Sequence, residues 1–359
     1  MKKIKVLVFE YITGGGLNKV DLPESLAREG LLMLKSLLDG LFRIEMIEPL
    51  IMLDSRLVGK LFLNSYDLDS TKPSSKGKGY VASPYPNIEN IHMIEPEHDC
   101  QQEFYQLMQS CDAVWPIAPE SASVLQSLCA TVERSGKILL TSPASAVTIT
   151  GNKWLTYRHL KEHSIATVPT QRLGDFSFTS GEWIIKPLDG VGCEDSYLVA
   201  DQQDFNTLTA LLNKQNYLIQ PHIQGEKTSL SCLFKHGRGW LLCANRQHFN
   251  LSNKQYRLTG ITVNFLSDTS KFQSMVKDVA KAMPELWGYL GIDLIESADA
   301  VLVLEINPRL TTSYAGIHEA LGINCAQAVL DLLAGDPQLQ PTRNQPVTIT
   351  LTGQANHAD

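Results

Sequence analysis

Apolar positions along the first third of the chain alternate between short continuous runs and helical spacing. Lys3 to Phe9 is β-branched and apolar and predicts a strand, followed by a glycine-rich turn over Tyr11 to Asn18. Pro23 to Leu38 repeats apolar residues at helical spacing, with Asp21 placed to cap it, and Ile44 to Ile47 predicts a second strand. A strand at Ala113 to Trp115, a helix from about Glu120 to Arg134 and a strand at Lys137 to Leu140 continue the alternation. This pattern argues for a parallel α/β sheet. Thr71 to Tyr85 collects Lys, Ser, Gly and Pro and predicts a loop.

Past Asn152 the pattern changes. A helix over Trp154 to Glu162 leads to Pro169, after which short strands dominate. They are predicted at Trp183 to Lys186, Tyr197 to Val199, Tyr217 to Gln220, Ser229 to Phe234, Trp240 to Ala244, Ile292 to Ile295 and Val301 to Ile306. A helix over Cys325 to Leu333 follows. The expected division is an N-terminal α/β domain over 1–115, a linker and central subdomain over 116–225, and a C-terminal subdomain over 226–359.

Composition narrows the function classes. A chain of 359 residues suits two or three domains, and its 43% hydrophobic and 19% charged residues are ordinary for a soluble globular protein. The net charge of −7 argues against a nucleic-acid binder that relies on a broad basic face. Any anion must therefore be met by a local cluster of Lys, Arg or metal. No apolar run approaches the ~20 residues that span a bilayer, and the apolar start is too short for a signal peptide. Seven scattered cysteines without a Cys-x-x-Cys pair fit a reduced cytoplasm and give no case for zinc.

Four segments carry candidate chemistry. The sharpest runs from Gly291 to Arg309, two apolar stretches around a polar tetrapeptide, and predicts a β-hairpin. Glu305 and Asn307 are two apart and share a face, while Leu302, Leu304 and Ile306 take the other and are expected to pack on the core. Pairing centred on Asp299 puts Asp293 on the same face as Glu305. Two carboxylates ~4 Å apart would repel by ~4 kcal/mol at an effective dielectric of about 20, so a cation lies between them or one carries a proton. Hard oxygen ligands of this kind suit Mg²⁺. A solvated outer face of an edge hairpin is an equal alternative.

The second segment, Trp183-Ile-Ile-Lys-Pro-Leu-Asp-Gly-Val-Gly-Cys-Glu, delivers Lys186 to a strand end before a loop with Gly190 and Gly192. Glycines let backbone N–H groups approach phosphate oxygens, although no Walker Gly-Lys-Ser/Thr ends the loop. The third, Tyr217-Leu-Ile-Gln-Pro-His-Ile-Gln-Gly-Glu, leaves backbone groups near Gln220 and Ile223 free to read a base edge, with Glu226 beyond as an acceptor for hydroxyls. The fourth is Asn152-Lys153 ahead of a helix. Taken singly, the last three read more readily as ordinary turns with surface side chains.

Their succession resembles the ATP-grasp superfamily over roughly residues 141–320. The resemblance implies an α/β and α+β architecture: a Rossmann-like N-terminal α/β domain, then two subdomains clasping ATP. It implies ATP phosphates on Lys153 and Lys186, with Asp189, Gly190, Gly192 and Cys193 closing over them. Gln220 and Ile223 would meet the adenine and Glu226 the ribose. Asp293, Glu305 and Asn307 would ligate Mg²⁺, with Mn²⁺ as a substitute, and Arg309 would join Lys186 in steadying the transferring phosphate. The implied reaction activates a small-molecule carboxylate as an acyl phosphate and joins it to an amine, with no nucleic acid or membrane involved and a homodimer permitted.

Within that superfamily, Phe9-Glu-Tyr-Ile-Thr-Gly-Gly-Gly, the Lys186 to Glu194 segment and Asn245-Arg246-Gln247 resemble the tyramine–glutamate ligases of methanofuran biosynthesis. That subgroup implies a carboxylate such as glutamate and an aromatic amine. The chain departs from the family at Gly192-Cys193-Glu194, where a small-residue pair is more usual. Gly14-Gly15-Gly16 is not a dinucleotide fingerprint, because Lys19 stands at the third glycine's place. Glu10 and Thr13, at a strand end, are candidate acceptor-site residues, against an ordinary turn. Asn245 and Arg246 are candidate substrate residues, Arg246 as a carboxylate clamp against a plain exposed arginine. Another ATP-grasp ligase, a carboxylase-like enzyme and an ATP-binding module without turnover are the alternatives.

Overall fold

The computed structural model describes residues 3–61, 90–190 and 195–351. The loop expected over Thr71 to Tyr85 lies outside these. Five parallel strands, β1 (Ile4–Glu10), β2 (Ile47–Asp54), β3 (Ile91–Ile94), β4 (Ala113–Ile117) and β5 (Ile138–Leu139), form a sheet in the order β3-β2-β1-β4-β5. β1 reads as a nearly unbroken apolar run because both its faces are covered. Val6 and Val8 pack beneath the helix Glu24–Phe42, and Leu7 and Phe9 pack against Phe104 and Met108 of the helix Cys100–Gln109. The strand order reverses between β1 and β4. Their carboxyl ends, at Glu10 and Ile117, therefore flank the crevice where such sheets bind ligands.

The remaining strands are antiparallel. β6 (Gln171–Arg172), β7 (Trp183–Pro187), β8 (Tyr197–Val199) and β9 (Tyr217–Pro221) form a small sheet in the order β6-β9-β7-β8. A single pairing, Tyr197 with Gln255, joins it to a larger sheet. That sheet comprises β10 (Glu226–Lys235), β11 (Arg238–Ser252), β12 (Gln255–Val263), β13 (Gly288–Glu296), β14 (Val301–Asn307) and the added edge strand β15 (Val347–Thr350). One face packs on the helix Gln273–Ala282 through Leu230, Phe234, Ala244 and Ile292. The other joins Cys243, Ile261, Val263 and Tyr289 to Ile317 of the helix Tyr314–Leu321 and to the long N-terminal helix. Among the described residues, no helix is long and apolar enough to cross a membrane.

Several local expectations shift. The second strand begins at Ile47 rather than ending there, because Ile44 closes a turn onto Leu41. The first helix runs to Phe42, and its N-cap position is Pro23 with no side-chain cap, so Asp21 does not cap it. The helix expected from Glu120 starts at Val124, since Ala122 and Ser123 adopt left-handed backbone (φ 51° and 57°). β12 and the helix Gln273–Ala282 are additions to the expected elements, although Val276, Val279 and Ala280 repeat at helical spacing and Tyr256 and Leu258 alternate with polar residues.

Candidate active site

Asp293 on β13 lies directly opposite Glu305 on β14. The hairpin achieves this with a register shift. Leu294 pairs with Val303 and Asp293 with Glu305, so Leu304 is left over as a bulge. The bulge also breaks the expected alternation. Val303 and Ile306 are the residues in the core, whereas Leu302 and Leu304, expected there, are only half-buried. Gln247 Nε2 donates to Asp293 Oδ1 at 3.2 Å, and Asn307 Nδ2 donates to Asp293 Oδ2 at 3.2 Å.

Burial, and then the neighbouring Glu305 carboxylate, push Asp293 well above the usual carboxylate range. Burial opposes ionisation of Glu305 too, yet the Lys153 and Lys186 ammonium groups hold it down at about 2. A divalent cation between them would serve both carboxylates and favour their deprotonated forms. The donor set fits Mg²⁺, a hard ion that takes one or two carboxylates and completes its shell with water and phosphate oxygens. Among the described residues no three His, Cys, Asp or Glu side chains converge. Asn307, water or phosphate would therefore have to finish such a shell.

Lysines from the preceding segment face this pair. Asn152 caps the helix Lys153–Glu162, its side chain accepting from the N–H groups of Trp154 and Leu155 at 3.1 Å, and this cap fixes Lys153 at the first turn. Lys153 Nζ then reaches Glu305 Oε2 at 3.3 Å and donates to the carbonyl of Gly190. Lys186, at the end of β7, is buried. Asp189 accepts from the backbone N–H of Ala122 at 3.0 Å, which ties the start of the glycine loop to the N-terminal domain. A side chain at Gly190 would come within 2.4 Å of Pro187 Cγ. Gly192 and Cys193 lie outside the described residues.

Within β9 the side chain of Gln220 is buried, and its Nε2 donates to Thr170 Oγ1 at 2.8 Å. Ile223 is half-buried beside His222, whose ring is held by Glu182 (2.7 Å) and the Tyr256 hydroxyl (2.8 Å). Sequence reasoning missed this Glu–His–Tyr chain, and the His within Pro221-His222-Ile223 was its one available signal. Glu226 and Arg246, assigned separately to ribose and substrate, are instead ion-paired with each other on the surface, and Arg246 stacks on Phe265. Thr228 pairs with Arg246 across adjacent strands, and that register brings the two charges together.

Asn245 is not a substrate-facing residue. It is fully buried, donates to Ser229 and Ser231 at 3.3 and 3.1 Å, and accepts from Cys243 Sγ and the Asn264 N–H. The polar cluster continues through Tyr289, Thr311 and Ser313. On the N-terminal side, Glu10 is buried and accepts from both the N–H and the hydroxyl of Thr13 at 2.7 Å. Burial raises its pKa, with Arg309 among the opposing influences. Arg309 itself is gripped by Glu120, Nε to Oε1 and Nη2 to Oε2 at 3.0 Å each, while Nη1 donates to Leu310 O. Burial works against this guanidinium, but Glu120, followed by Glu305 and Glu10, raises its pKa above the usual value.

The segment that carries Lys153, Lys186, the Asp293–Glu305 pair and Arg309 falls within a domain pattern found in known proteins. The ATP-grasp domain pattern fits residues 150–313, and that of the pre ATP-grasp 3 domain fits residues 79–147. The chain carries an ATP-grasp domain, with a pre ATP-grasp domain ahead of it. It is 26% identical over 316 residues to the tyramine–L-glutamate ligase of Methanocaldococcus fervens, a match covering 87% of this chain and 89% of that one. The Methanocaldococcus jannaschii tyramine–L-glutamate ligase matches at 26% over 314 residues, covering 87% and 84%. Among solved structures, an ATP-grasp superfamily protein from Archaeoglobus fulgidus superposes with a TM-score of 0.67 at 20% identity, over 97% of this chain and 92% of that one. The L-amino acid ligase of Bacillus licheniformis superposes at 0.60 and 16% identity, over 95% and 78%. These two likenesses concern the ATP-grasp fold alone.

Proposed function

We propose that this protein is an ATP-dependent carboxylate–amine ligase that joins an amino acid such as glutamate to an aromatic amine such as tyramine, releasing ADP and phosphate. The observation that carries the reading is the meeting of Lys153 with Glu305, opposite Asp293, with Lys186 and Arg309 close enough for their charges to act on the same carboxylate. A carboxylate attacking a terminal phosphate brings anions together, and fixed cations in a dry cleft are what offset that repulsion. Lys153 and Lys186 would neutralise ATP phosphates, and Arg309 the phosphoryl group in transit and the acyl phosphate that results. A divalent ion held by Asp293, Glu305 and Asn307 would supply further charge for the phosphates. The Asp189–Gly190 turn, with Gly192 and Cys193 following, would cover the phosphates and keep water from the acyl phosphate.

The nucleoside would lie along Gln220 and Ile223, read by backbone groups, with its ribose at Glu226, where Arg246 would have to yield. Glu10 and Thr13, at the sheet's crevice, are placed for the acceptor side. The tyramine–L-glutamate ligases similar over 87% of this chain favour glutamate and tyramine as the pair. The test is ADP release with ATP, Mg²⁺, glutamate and tyramine, and mass spectrometry of the product. ADP formation that requires both substrates, with a new amide, is expected. ATP binding without turnover on any amino acid and amine in a panel would end the ligase reading.

A further inference from the structure

We infer that Glu120 is the positioning residue for Arg309: by gripping one edge of the guanidinium from the N-terminal domain, it aims the remaining N–H groups at the transferring phosphoryl group. The inference rests on the ligase reading for the identity of that group. Glu120 lies 189 residues from Arg309 in sequence and follows β4, on the flank of the β1–β4 crevice. Both contacts are 3.0 Å, and the side chains are 6% and 14% exposed. A planar, bidentate fork fixes orientation as well as distance, which a single contact or a lysine would not do. Glu120 takes Nε and one Nη2 hydrogen and Leu310 O takes one Nη1 hydrogen, so two of the five N–H donors are left for an incoming oxyanion.

The seat of Glu120 is built. Gly151 packs against it: a Cβ there would stand 3.2 Å from Glu120 Cβ and 3.4 Å from its Cγ, a tight contact on the side chain's stem. Immediately after Glu120, Ala122 and Ser123 hold left-handed backbone that non-glycine residues seldom adopt (φ 51° and 57°), a conformation that clusters at functional sites. That turn directs the Ala122 N–H to Asp189 at the start of the glycine loop. One short segment thus touches both the arginine and the loop on either side of the cleft. Stability alone does not account for the pair, because a buried ion pair is seldom worth more than the apolar residues that could replace it.

The test uses the full-length protein and reads turnover, ATP affinity, and orthovanadate affinity in the presence of Mg²⁺ and ADP. In Glu120→Gln, ATP affinity should stay within about twofold, kcat should fall roughly 10- to 100-fold, and orthovanadate should bind about tenfold more weakly, as expected for a misaimed group. In an Arg309→Ala background the same change should add nothing, because the residue through which Glu120 acts is gone. Glu120→Asp, which keeps the charge and withdraws it by one methylene, should fall between wild type and Glu120→Gln. A lowered melting temperature with wild-type kcat and orthovanadate affinity would overturn the inference, as would effects that multiply in the double variant. Should Glu120→Gln not fold, Glu120→Asp decides by the same readouts. If the wild type turns over no substrate pair, the ligase reading fails while orthovanadate binding still judges Glu120.

Discussion

Lys153 and Glu305 meet at 3.3 Å across two elements that lie 152 residues apart, one the first turn of a helix and the other a hairpin strand. The same ammonium holds the carbonyl of Gly190, so a single cation links the glycine loop to the acidic hairpin. Replacing it with the near-isosteric Lys153→Met should leave the helix intact and remove a charge that the triphosphate requires. The expected result is at least about a tenfold loss of affinity for a non-hydrolysable ATP analogue, ~1.4 kcal/mol by calorimetry. Unchanged affinity would remove Lys153 from the site.

The Asp293–Glu305 pair predicts opposite pH behaviour with and without metal. Asp293 has a raised pKa, so from about pH 4 up to that raised value the folded protein holds a proton that the unfolded chain has released. Its contribution is present below the unfolded pKa and is lost as pH rises through the folded one. Glu305, held at about 2, behaves the other way and loses its contribution only as pH falls from about 4.3 toward that value. Mg²⁺ needs the deprotonated pair, so the gain in melting temperature from Mg²⁺ with ADP should be larger at about pH 8 than at about pH 5. Asp293→Asn should flatten that difference. An equal Mg²⁺ effect at both pH values, or one that survives Asp293→Asn, would place the cation elsewhere.

Asn245 makes a prediction of the structural kind. Truncation to alanine strands the buried Asn264 N–H and removes a donor from Ser229 and Ser231, of which Ser231 keeps Tyr289 and Ser313. Stability to urea should fall by about 1–3 kcal/mol, with KM for either substrate changed by less than about twofold. A selective rise in one KM with normal stability would return Asn245 to the substrate site.

Gly30 lies inside the long N-terminal helix, where exchange of glycine for alanine ordinarily stabilises by ~1 kcal/mol. Here a Cβ would stand 2.5 Å from Glu10 Oε2 and 2.9 Å from Thr13 Cγ2. Gly30→Ala should therefore lower the melting temperature, with a net cost of about 1–3 kcal/mol from overpacking. A higher melting temperature would mean that Glu10 and Thr13 yield easily and are not rigidly seated.

Much of the architecture was legible because it rests on local patterns. β8 appeared at Tyr197–Val199 as expected, and the helix after Asn152 began where a capping asparagine allows. β12 was an addition, although Tyr256 and Leu258 alternate with polar residues; Gly260 then breaks the period before Ile261 and Val263. At the site, Asp293 and Glu305 were expected to pair, but through an unbroken ladder; a bulge at Leu304 does it instead. Such a bulge depends on what Val303 and Ile306 must reach on the core side.

The sequence by itself determined the alternating N-terminal segments, the two lysines, the acidic hairpin and its Asn-Pro-Arg end, since period, capping and turn chemistry act over a few residues. Only the tertiary structure decided that Arg309 is gripped by Glu120, that Arg246 neutralises Glu226 and that Asn245 is sealed in a polar cluster. Those choices depend on which distant side chains packing brings within hydrogen-bond reach, and on how burial then reweights each charge. Neither is encoded in the spacing of residues along one strand or helix.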